Sequence, residues 1–174
     1  MSAELRPFDR VAKVYDETRA MPPEATAAIA DAIASMLREA APSPHLLEVG
    51  VGTGRIAVPL TERGVRVTGI DIAPDMVAVL REKRSDIGVA FAEASRPPFR
   101  DAAFDGALFV HILHLVPEPD ATVRSAMACV RPGGVLIMGG DDRSPGHRDE
   151  AEAILGDAIR EMTGSTNTGA ARAE

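Results

Sequence analysis

The stretch that decides the fold class is Leu46-Leu47-Glu48-Val49-Gly50-Val51-Gly52-Thr53-Gly54-Arg55. It begins within a short apolar run, His45–Val49, whose length and composition are typical of a buried β-strand. It then passes through a glycine-rich loop into residues 55–63, a helical pattern followed by Gly64, a residue common just after a helix ends. The stretch therefore predicts a strand, a tight loop and a helix in succession.

The three glycines of the loop indicate a ligand site. Without a Cβ atom, a ligand can approach the backbone closely, and the start of the following helix offers free amides to an anionic group. Gly50, Gly52 and Gly54 are spaced G-x-G-x-G, whereas the dinucleotide fingerprint is G-x-G-x-x-G. Glu48 precedes the first glycine by two residues. This spacing argues against a nicotinamide dinucleotide as the ligand.

Four further apolar runs have the length and composition of strands. They are residues 65–70, 87–91, 104–112 and 135–138. Helical patterns separate most of them, one carrying Met76, Val79 and Leu80 on its buried face, and two more helices are predicted before the first strand. Strands that alternate with helices favour an α/β fold, a parallel sheet with helices on both faces.

Composition restricts the classes of function. The 174 residues suffice for one domain with a real core, and 45% of them are apolar, which indicates a globular protein. A formal net charge of −7 without a basic patch argues against nucleic acid as a partner. The single cysteine, Cys129, excludes an internal disulfide. No signal peptide or membrane-length apolar stretch is recognisable, so we expect a cytoplasmic protein with no membrane partner.

The motifs together resemble the class I methyltransferases that use S-adenosylmethionine. Residues 46–55 are similar to that family's first motif, and residues 69–76 to the end of its second strand. Residues 8–16 resemble an N-terminal segment of small-molecule members, whose tyrosine, here Tyr15, closes over the methionine end of the cofactor. Phe104-Asp105 and residues 131–135 match the fourth strand and the turn before the fifth. The resemblance covers roughly residues 8–138.

The resemblance implies S-adenosylmethionine as cofactor and S-adenosylhomocysteine as product. Asp71, at the end of a strand, would accept hydrogen bonds from both ribose hydroxyls; the alternative is an ordinary acid at a helix entry. Glu93 stands where the family often has aspartate, which leaves the side-chain contact open but not the Ala94 amide contact. The full predicted cofactor set is Tyr15, Glu48, Gly50, Gly52, Gly54, Asp71, Ile72, Met76, Glu93 and Ala94.

The acceptor side carries fewer signals. His111 and His114 follow the fourth predicted strand, and either could accept a proton during methyl transfer, since histidine titrates near neutral pH. The alternative is that they only pack or bond backbone. Residues 110–114 lack the Asn/Asp-Pro-Pro-Tyr/Phe motif that base and protein-glutamine methyltransferases share, so the expected acceptor is a small molecule. Adjacent acids at Asp141-Asp142 are interpreted as solvated, and no metal is expected.

The sequence thus predicts an enzyme, a methyltransferase acting on O, N or C of a small molecule. A non-catalytic cofactor-binding or regulatory module, a truncated methyltransferase fragment and, less favoured, an NAD-dependent oxidoreductase remain as alternatives.

The domain is expected to span residues 1–162: N-terminal helices in 1–44, a cofactor-binding core in 45–139 and a C-terminal helix in 140–162. Residues 163–174 read as a disordered tail. The Rossmann-like sheet should have the order 3-2-1-4-5 and lack the usual C-terminal antiparallel strands. Its fifth strand should then be an edge, covered by the helix at 149–162, by a second copy in a homodimer, or by further sequence.

Overall fold

The structure is a computed structural model that describes residues 12–19 and 21–139. In that part of the chain five parallel strands form one sheet in the order β3-β2-β1-β4-β5. The strands are β1 His45–Val49, β2 Arg66–Asp71, β3 Gly88–Phe91, β4 Phe104–Val110 and β5 Val130–Gly139. The predicted parallel sheet and its strand order are confirmed.

The helices of the described residues are α1 Ala12–Thr18, α2 Pro23–Ala40, α3 Ala57–Glu62, α4 Pro74–Lys83 and α5 Pro119–Ala128, with a 3-10 turn at Leu113–Leu115. Three of the helices begin at a proline. A proline in the first turn costs no hydrogen bond, because amides there have no partner within the helix. None of these helices is long and apolar enough to cross a bilayer.

The glycine-rich loop runs two residues further than the sequence predicts, since α3 begins at Ala57 rather than at residue 55. Pro59 explains the late start. It is the third residue of α3, where its missing amide donor forfeits no intrahelical bond. At Pro59 the sequence allows either a late helix start or a helix with one bond missing, and the structure shows the late start.

Two strand boundaries differ from the prediction by more than one residue. The turn expected at residues 131–134 is a bulge within β5, because Phe104 pairs with Val130 while Gly106 pairs with Val135. Gly133 makes the bulge with a φ of +75°. At the other end of the pair, β4 stops at Val110 rather than at residue 112, because His111 adopts a φ of +53°.

Helices cover both faces of the sheet. Leu46 and Leu108 point to one face, where they pack with α2, α3 and Leu80 of α4. Leu47 and Phe109, their neighbours in sequence, point to the opposite face and pack with α5. This alternation follows from the two-residue period of a strand, and it leaves only the ends of the strands for polar chemistry.

The amino-terminal edge of the sheet is closed by a polar network. Asp105 at the start of β4 accepts a hydrogen bond from the His45 amide at 2.8 Å and one from Arg131 Nε at 2.6 Å. Arg131 also donates to the Ala40 carbonyl at 2.5 Å. Burial opposes ionisation of Asp105, but these bonds outweigh it and hold its pKa below the usual value. The network ties β1, β4 and β5 to the end of α2.

Some predictions fall outside the described residues. These are the structure of residues 1–11, the helix at 140–162 and its covering of the β5 edge, the absence of further strands, and the tail at 163–174.

Candidate cofactor site

The site lies at the carboxyl-terminal edge of the sheet, where the strand order reverses between β1 and β4. In open parallel sheets such a reversal leaves a crevice beyond the strand ends, since the flanking connections run to opposite faces. Glu48, Asp71 and His111 lie at or next to the ends of β1, β2 and β4. The topology therefore brings together the acids and the histidine that the sequence singled out.

The loop after β1 is anchored to β2 through its backbone. The Gly50 and Val51 amides both donate to the Ile70 carbonyl, at 2.8 and 3.1 Å. A Cβ atom at Gly50 would lie 2.8 Å from the Ile112 side chain, so close packing already requires glycine there. One at Gly54 would overlap Leu80. Two of the three glycines therefore serve the packing of the loop itself.

Gly52 is packed less tightly than Gly50 and Gly54. A Cβ atom there would find its nearest neighbour, Met76 Cε, at 3.3 Å and the Asp71 carboxylate at 4.0 Å. Its φ of +51° lies in the region that glycine favours. A side chain at this position would fill the space between the loop and α4, which we call the cradle. A ligand can approach the backbone there because Gly52 has no side chain.

Asp71 holds the loop in this shape. Its Oδ2 accepts a hydrogen bond from the Gly52 amide at 2.7 Å, and its Oδ1 accepts one from the Ala73 amide at 2.9 Å. A carboxylate has about four lone-pair positions, so each oxygen keeps capacity for a further donor. Asp71 can therefore position the loop and receive ligand hydroxyls at the same time.

Glu48 is a buried acid with unused hydrogen-bonding capacity. The residue is only 3% exposed, and its Oε2 has no hydrogen-bond partner among the described residues. Burial first, and the nearby Asp71 charge second, raise the pKa of Glu48 to about 8. A buried polar atom left unpaired costs about 1–3 kcal/mol. Such an atom next to the glycine loop fits a ligand with a polar or cationic group.

Apolar surfaces flank the acids. Ile72, directly after Asp71, is 43% exposed and offers an apolar surface beside the carboxylate. Met76 is buried instead, in a small cluster with Ala12, Ala73 and Tyr15. Met76 packs α1 onto α4, and its Cε atom also lies 3.3 Å from the position of a Cβ atom at Gly52.

The remaining predicted cofactor residues lie around this centre. The Tyr15 ring packs on the Met76 cluster and has the Arg55 guanidinium 6.0 Å from its centroid. The loop after β3 is tied to β2 by a hydrogen bond from the Ala92 amide to the Asp71 carbonyl at 3.2 Å. Glu93 in that loop is exposed, while Ala94 is half-buried against the α5-side core.

The two histidines occupy different positions. His111 follows β4 directly, and its amide donates to the Gly139 carbonyl of β5 at 3.1 Å. The next side chain, Ile112, lies over Gly50, so the histidine segment contacts the glycine loop. His114 sits in the exposed 3-10 turn beyond it. The structure thus links His111 to the loop more directly than His114.

Sequence reasoning missed a polar cluster beside the loop. Thr53 donates its hydroxyl proton to Asp16 of α1, and Lys83 of α4 contacts both. Asp16 stood within the N-terminal motif, but no spacing connected it to Lys83. Within residues 12–19 and 21–139 no group of three or more His, Cys, Asp and Glu side chains could hold a metal.

Comparison with known proteins assigns the family. The family model for a methyltransferase domain matches residues 47–138, the span from β1 to β5 that carries the glycine loop, Asp71 and His111. The chain belongs to the methyltransferase domain family. The class I S-adenosylmethionine-dependent methyltransferase predicted from the motifs is confirmed at the level of the family.

One curated relative is the 27-O-demethylrifamycin SV methyltransferase of Amycolatopsis mediterranei. The chain is 33% identical to it over 132 residues, which cover 72% of this chain and 48% of the relative.

Two solved structures are also similar. The sugar N-methyltransferase KedS8 from Streptoalloteichus is 26% identical, with a TM-score of 0.61 over 72% of this chain and 52% of that one. The [4+2]-cyclase SpnF is 28% identical, with a TM-score of 0.53 over 62% of this chain and 43% of that one. The methyltransferase domain spans about half the length, or less, of the curated relatives it matches.

Proposed function

We propose that this chain binds S-adenosylmethionine at the carboxyl-terminal edge of its sheet and transfers the methyl group to O, N or C of a small molecule. The observation that carries the proposal is the arrangement around Asp71. This carboxylate fixes the glycine loop at Gly52 while keeping lone pairs for further donors, and the buried Glu48 carboxyl has an oxygen without a hydrogen-bond partner among the described residues. Membership of the methyltransferase domain family supports the same conclusion.

Each part of the cofactor has a chemically suited partner among the residues present. Asp71 would accept the two ribose hydroxyls, a charge-assisted arrangement. Glu48 would bond the ammonium end, which would satisfy its orphaned oxygen and stabilise the carboxylate form. The exposed Ile72 side chain would face the adenine ring, and the Ala94 amide would bond its edge. Tyr15 on α1 would cover the methionine end.

When bound, the cofactor supplies an electrophilic methyl group on a sulfonium centre. The protein contributes alignment and exclusion of water, and holding two reactants in line is worth several orders of magnitude in rate. His111 is the proton acceptor for an acceptor hydroxyl or amine. Its left-handed backbone supports this role, because strain in a non-glycine residue persists where the surrounding structure holds it and is frequent at active sites. His114 is the second choice, since it lies on an exposed turn.

A small molecule is the acceptor class that the chain favours. The net charge of −7 disfavours nucleic acid. The segment after β4, Val110 to His114, has none of the proline-rich motif typical of base methylation. The named relatives include a rifamycin-type and a sugar methyltransferase, both with small-molecule acceptors in their names. A cytoplasmic location and a homodimer stay predictions.

A second candidate is a domain that binds the cofactor without transferring methyl. It is supported by the likeness to SpnF, whose name describes a cyclase rather than a methyltransferase. The two candidates share the cofactor site and differ only in the role of His111. Methylated product that disappears in His111→Ala, with S-adenosylhomocysteine affinity unchanged, would favour the first; cofactor binding without any methylated product would favour the second.

Thermal unfolding with added ligand tests the cofactor assignment. S-adenosylhomocysteine should raise the unfolding temperature, since a ligand at 100 times its Kd stabilises the folded state by about 2.7 kcal/mol. Asp71→Ala should weaken binding by about 1.5–3 kcal/mol through loss of a charged acceptor. Asp86→Ala, at an exposed ion pair with Arg84, is the matched control and should respond like the wild type. A shift with NAD and none with S-adenosylhomocysteine would refute the proposal.

A further inference from the structure

Three side chains from separate parts of the chain meet beside the glycine loop. They are Asp16 of α1, Thr53 of the loop and Lys83, the last residue of α4. The Thr53 hydroxyl donates to Asp16 Oδ1 at 2.6 Å, and Lys83 Nζ donates to the Thr53 carbonyl at 2.8 Å. Lys83 Nζ also forms an ion pair with Asp16 Oδ2. Every pair within this cluster is therefore joined by a hydrogen bond.

The cluster combines a buried hydroxyl with a partly exposed ion pair. Thr53 is 1% exposed, whereas the side chains of Lys83 and Asp16 are 33% and 36% exposed. A buried hydroxyl needs its partner, because an unpaired polar group in the interior is costly. The ion pair, in contrast, is open to water and to salt, which weaken it. The cluster can accordingly hold α1 in place and still release it.

Further contacts hold α1 on the side of α4. The described part of the helix has seven residues, fewer than an isolated helix needs to be stable. Ala12 and Tyr15 pack on Met76 of α4 and on Ala73 just before it, and the Tyr15 ring faces Arg55. Asp16 is the next residue after Tyr15, so whatever fixes Asp16 also fixes the aromatic ring next to the cradle at Gly52.

We propose that Lys83 is a positioning residue that, with Asp16 and Thr53, latches α1 over the glycine loop and so sets the rate at which cofactor and product leave. It acts on both partners at once: the loop through the Thr53 carbonyl, and α1 through the Asp16 carboxylate. Opening the latch releases α1 from the loop, which stays anchored to β2 and to Asp71. The proposal rests on the cofactor site proposed above.

Dissociation of S-adenosylhomocysteine tests the latch. In Lys83→Met, the dissociation rate measured by stopped-flow displacement should rise about tenfold, while the association rate changes about twofold or less, since affinity changes in related complexes are mostly changes in dissociation. Lys83→Arg should restore most of the slow dissociation, because arginine keeps the charge and the donors. Equal dissociation rates in Lys83→Met and the wild type would overturn the proposal.

Arg84→Met provides the matched control. Arg84 follows Lys83 directly, but it forms its ion pair with Asp86 and not with Asp16. This variant should leave dissociation unchanged. Salt adds a second discrimination: raising ionic strength should speed dissociation from the wild type and have little effect on Lys83→Met. The same salt response in both proteins would show that the ion pair does not control release.

Hydrogen exchange tests the latch without any ligand. In the ligand-free full chain, the amides of α1 up to Arg19 should exchange about tenfold faster in Lys83→Met than in Arg84→Met, because local opening is easier when a tethering contact is lost. Asp16→Asn should have a similar effect. Exchange of the α1 amides that is unchanged in both Lys83→Met and Asp16→Asn would refute the latch. If the wild type fails to bind S-adenosylhomocysteine, the proposed function fails, and exchange still decides whether α1 is latched.

Discussion

The amino-terminal and carboxyl-terminal edges of the sheet differ in how completely their polar groups are paired. At the amino-terminal edge, Asp105 accepts hydrogen bonds from Arg131 Nε and from the His45 amide, at 2.6 and 2.8 Å. At the carboxyl-terminal edge, one Glu48 oxygen has no hydrogen-bond partner in the part of the chain that the structure describes, and His111 is held in a left-handed conformation. The strands between the two edges are the same, so the difference lies in the residues at their ends.

This difference separates stability from binding. Satisfied charges at one edge lower the free energy of the folded chain, whereas orphaned and strained groups at the other raise it and persist where a ligand uses them. Substitutions at the amino-terminal edge should therefore reduce stability and leave cofactor affinity intact. Those at the carboxyl-terminal edge should mainly reduce cofactor affinity.

The largest effect on cofactor affinity is expected for Gly52→Val. The side chain would fill the cradle beside Met76, and S-adenosylhomocysteine affinity, measured by calorimetry, should fall at least about 100-fold, equivalent to about 2.7 kcal/mol. Gly64→Val is the matched control, because Gly64 has a similar φ of +79° and nothing within 4 Å of its Cβ position. Both variants carry the backbone strain of about 1–2 kcal/mol, but only the first should lose the ligand.

Glu48→Gln should remove a pH-dependent change of roughly 3–5 kcal/mol in the free energy of unfolding. The pKa of Glu48 is about 8 in the folded chain and near 4.5 when unfolded, so the folded state binds more protons between these values. Wild-type stability in the ligand-free state should therefore decline as pH rises from about 4.5 to 8, and glutamine should remove the decline. Urea unfolding across this range measures it.

The control for that substitution is Glu62→Gln, on the exposed face of α3. Its unfolding free energy should follow the wild type at every pH. If Glu48→Gln also follows the wild type, Glu48 ionises normally in the folded protein, and the contrast between the edges is weaker than we infer.

Asp105→Ala should lower the unfolding free energy by about 2–4 kcal/mol, because it leaves Arg131 and the His45 amide without their acceptor. S-adenosylhomocysteine affinity of the folded fraction should not change. Asp31→Ala breaks another aspartate–arginine pair, with Arg63, in which Asp31 is exposed, and should be nearly neutral. A loss of affinity in Asp105→Ala that exceeds its loss of stability would contradict the division between the edges.

The smallest effect concerns His45. Burial first, and Arg66 second, lower the pKa of its ring below 6.5, while Asp105 opposes them. The unfolded chain then binds more protons just below pH 6.5, so this contribution to stability is complete above that pH and is lost as the pH falls. His45→Gln should remove less than about 1 kcal/mol of acid sensitivity. A wild-type profile that stays flat below pH 6.5 after correction for Glu48 would contradict it.

The two edges also differ in how far the sequence reveals them. Strand positions, their parallel order and the glycine loop follow from local apolar periods and from the resemblance of residues 46–55 and 69–76 to a known family. Asp71 was found in this way. The Asp16–Lys83 pair was not, since the contact joins residues 67 apart and neither stands at a spacing with meaning of its own.

Other misses have local physical causes. Residues 131–134 have the composition of a turn, yet Val130 still pairs with Phe104, so tertiary pairing turned the expected break into a bulge. The raised pKa of Glu48 depends on burial and on the charge of Asp71, neither of which a strand pattern specifies. Pro59 is compatible with a late helix start or with one missing bond, and only the structure decides for the late start.

The packing of Ile112 against Gly50 constrains the engineering of acceptor scope. The segment after β4 is an obvious place to graft sequence from another enzyme, but its first apolar side chain fits a space that only a glycine leaves open. A transplanted segment with a bulkier residue at 112 would displace the loop, and one with a smaller residue would leave a void above it. Libraries that vary residues 113–116 while keeping Ile112 and Gly50 fixed should therefore yield more functional variants than whole-segment exchanges.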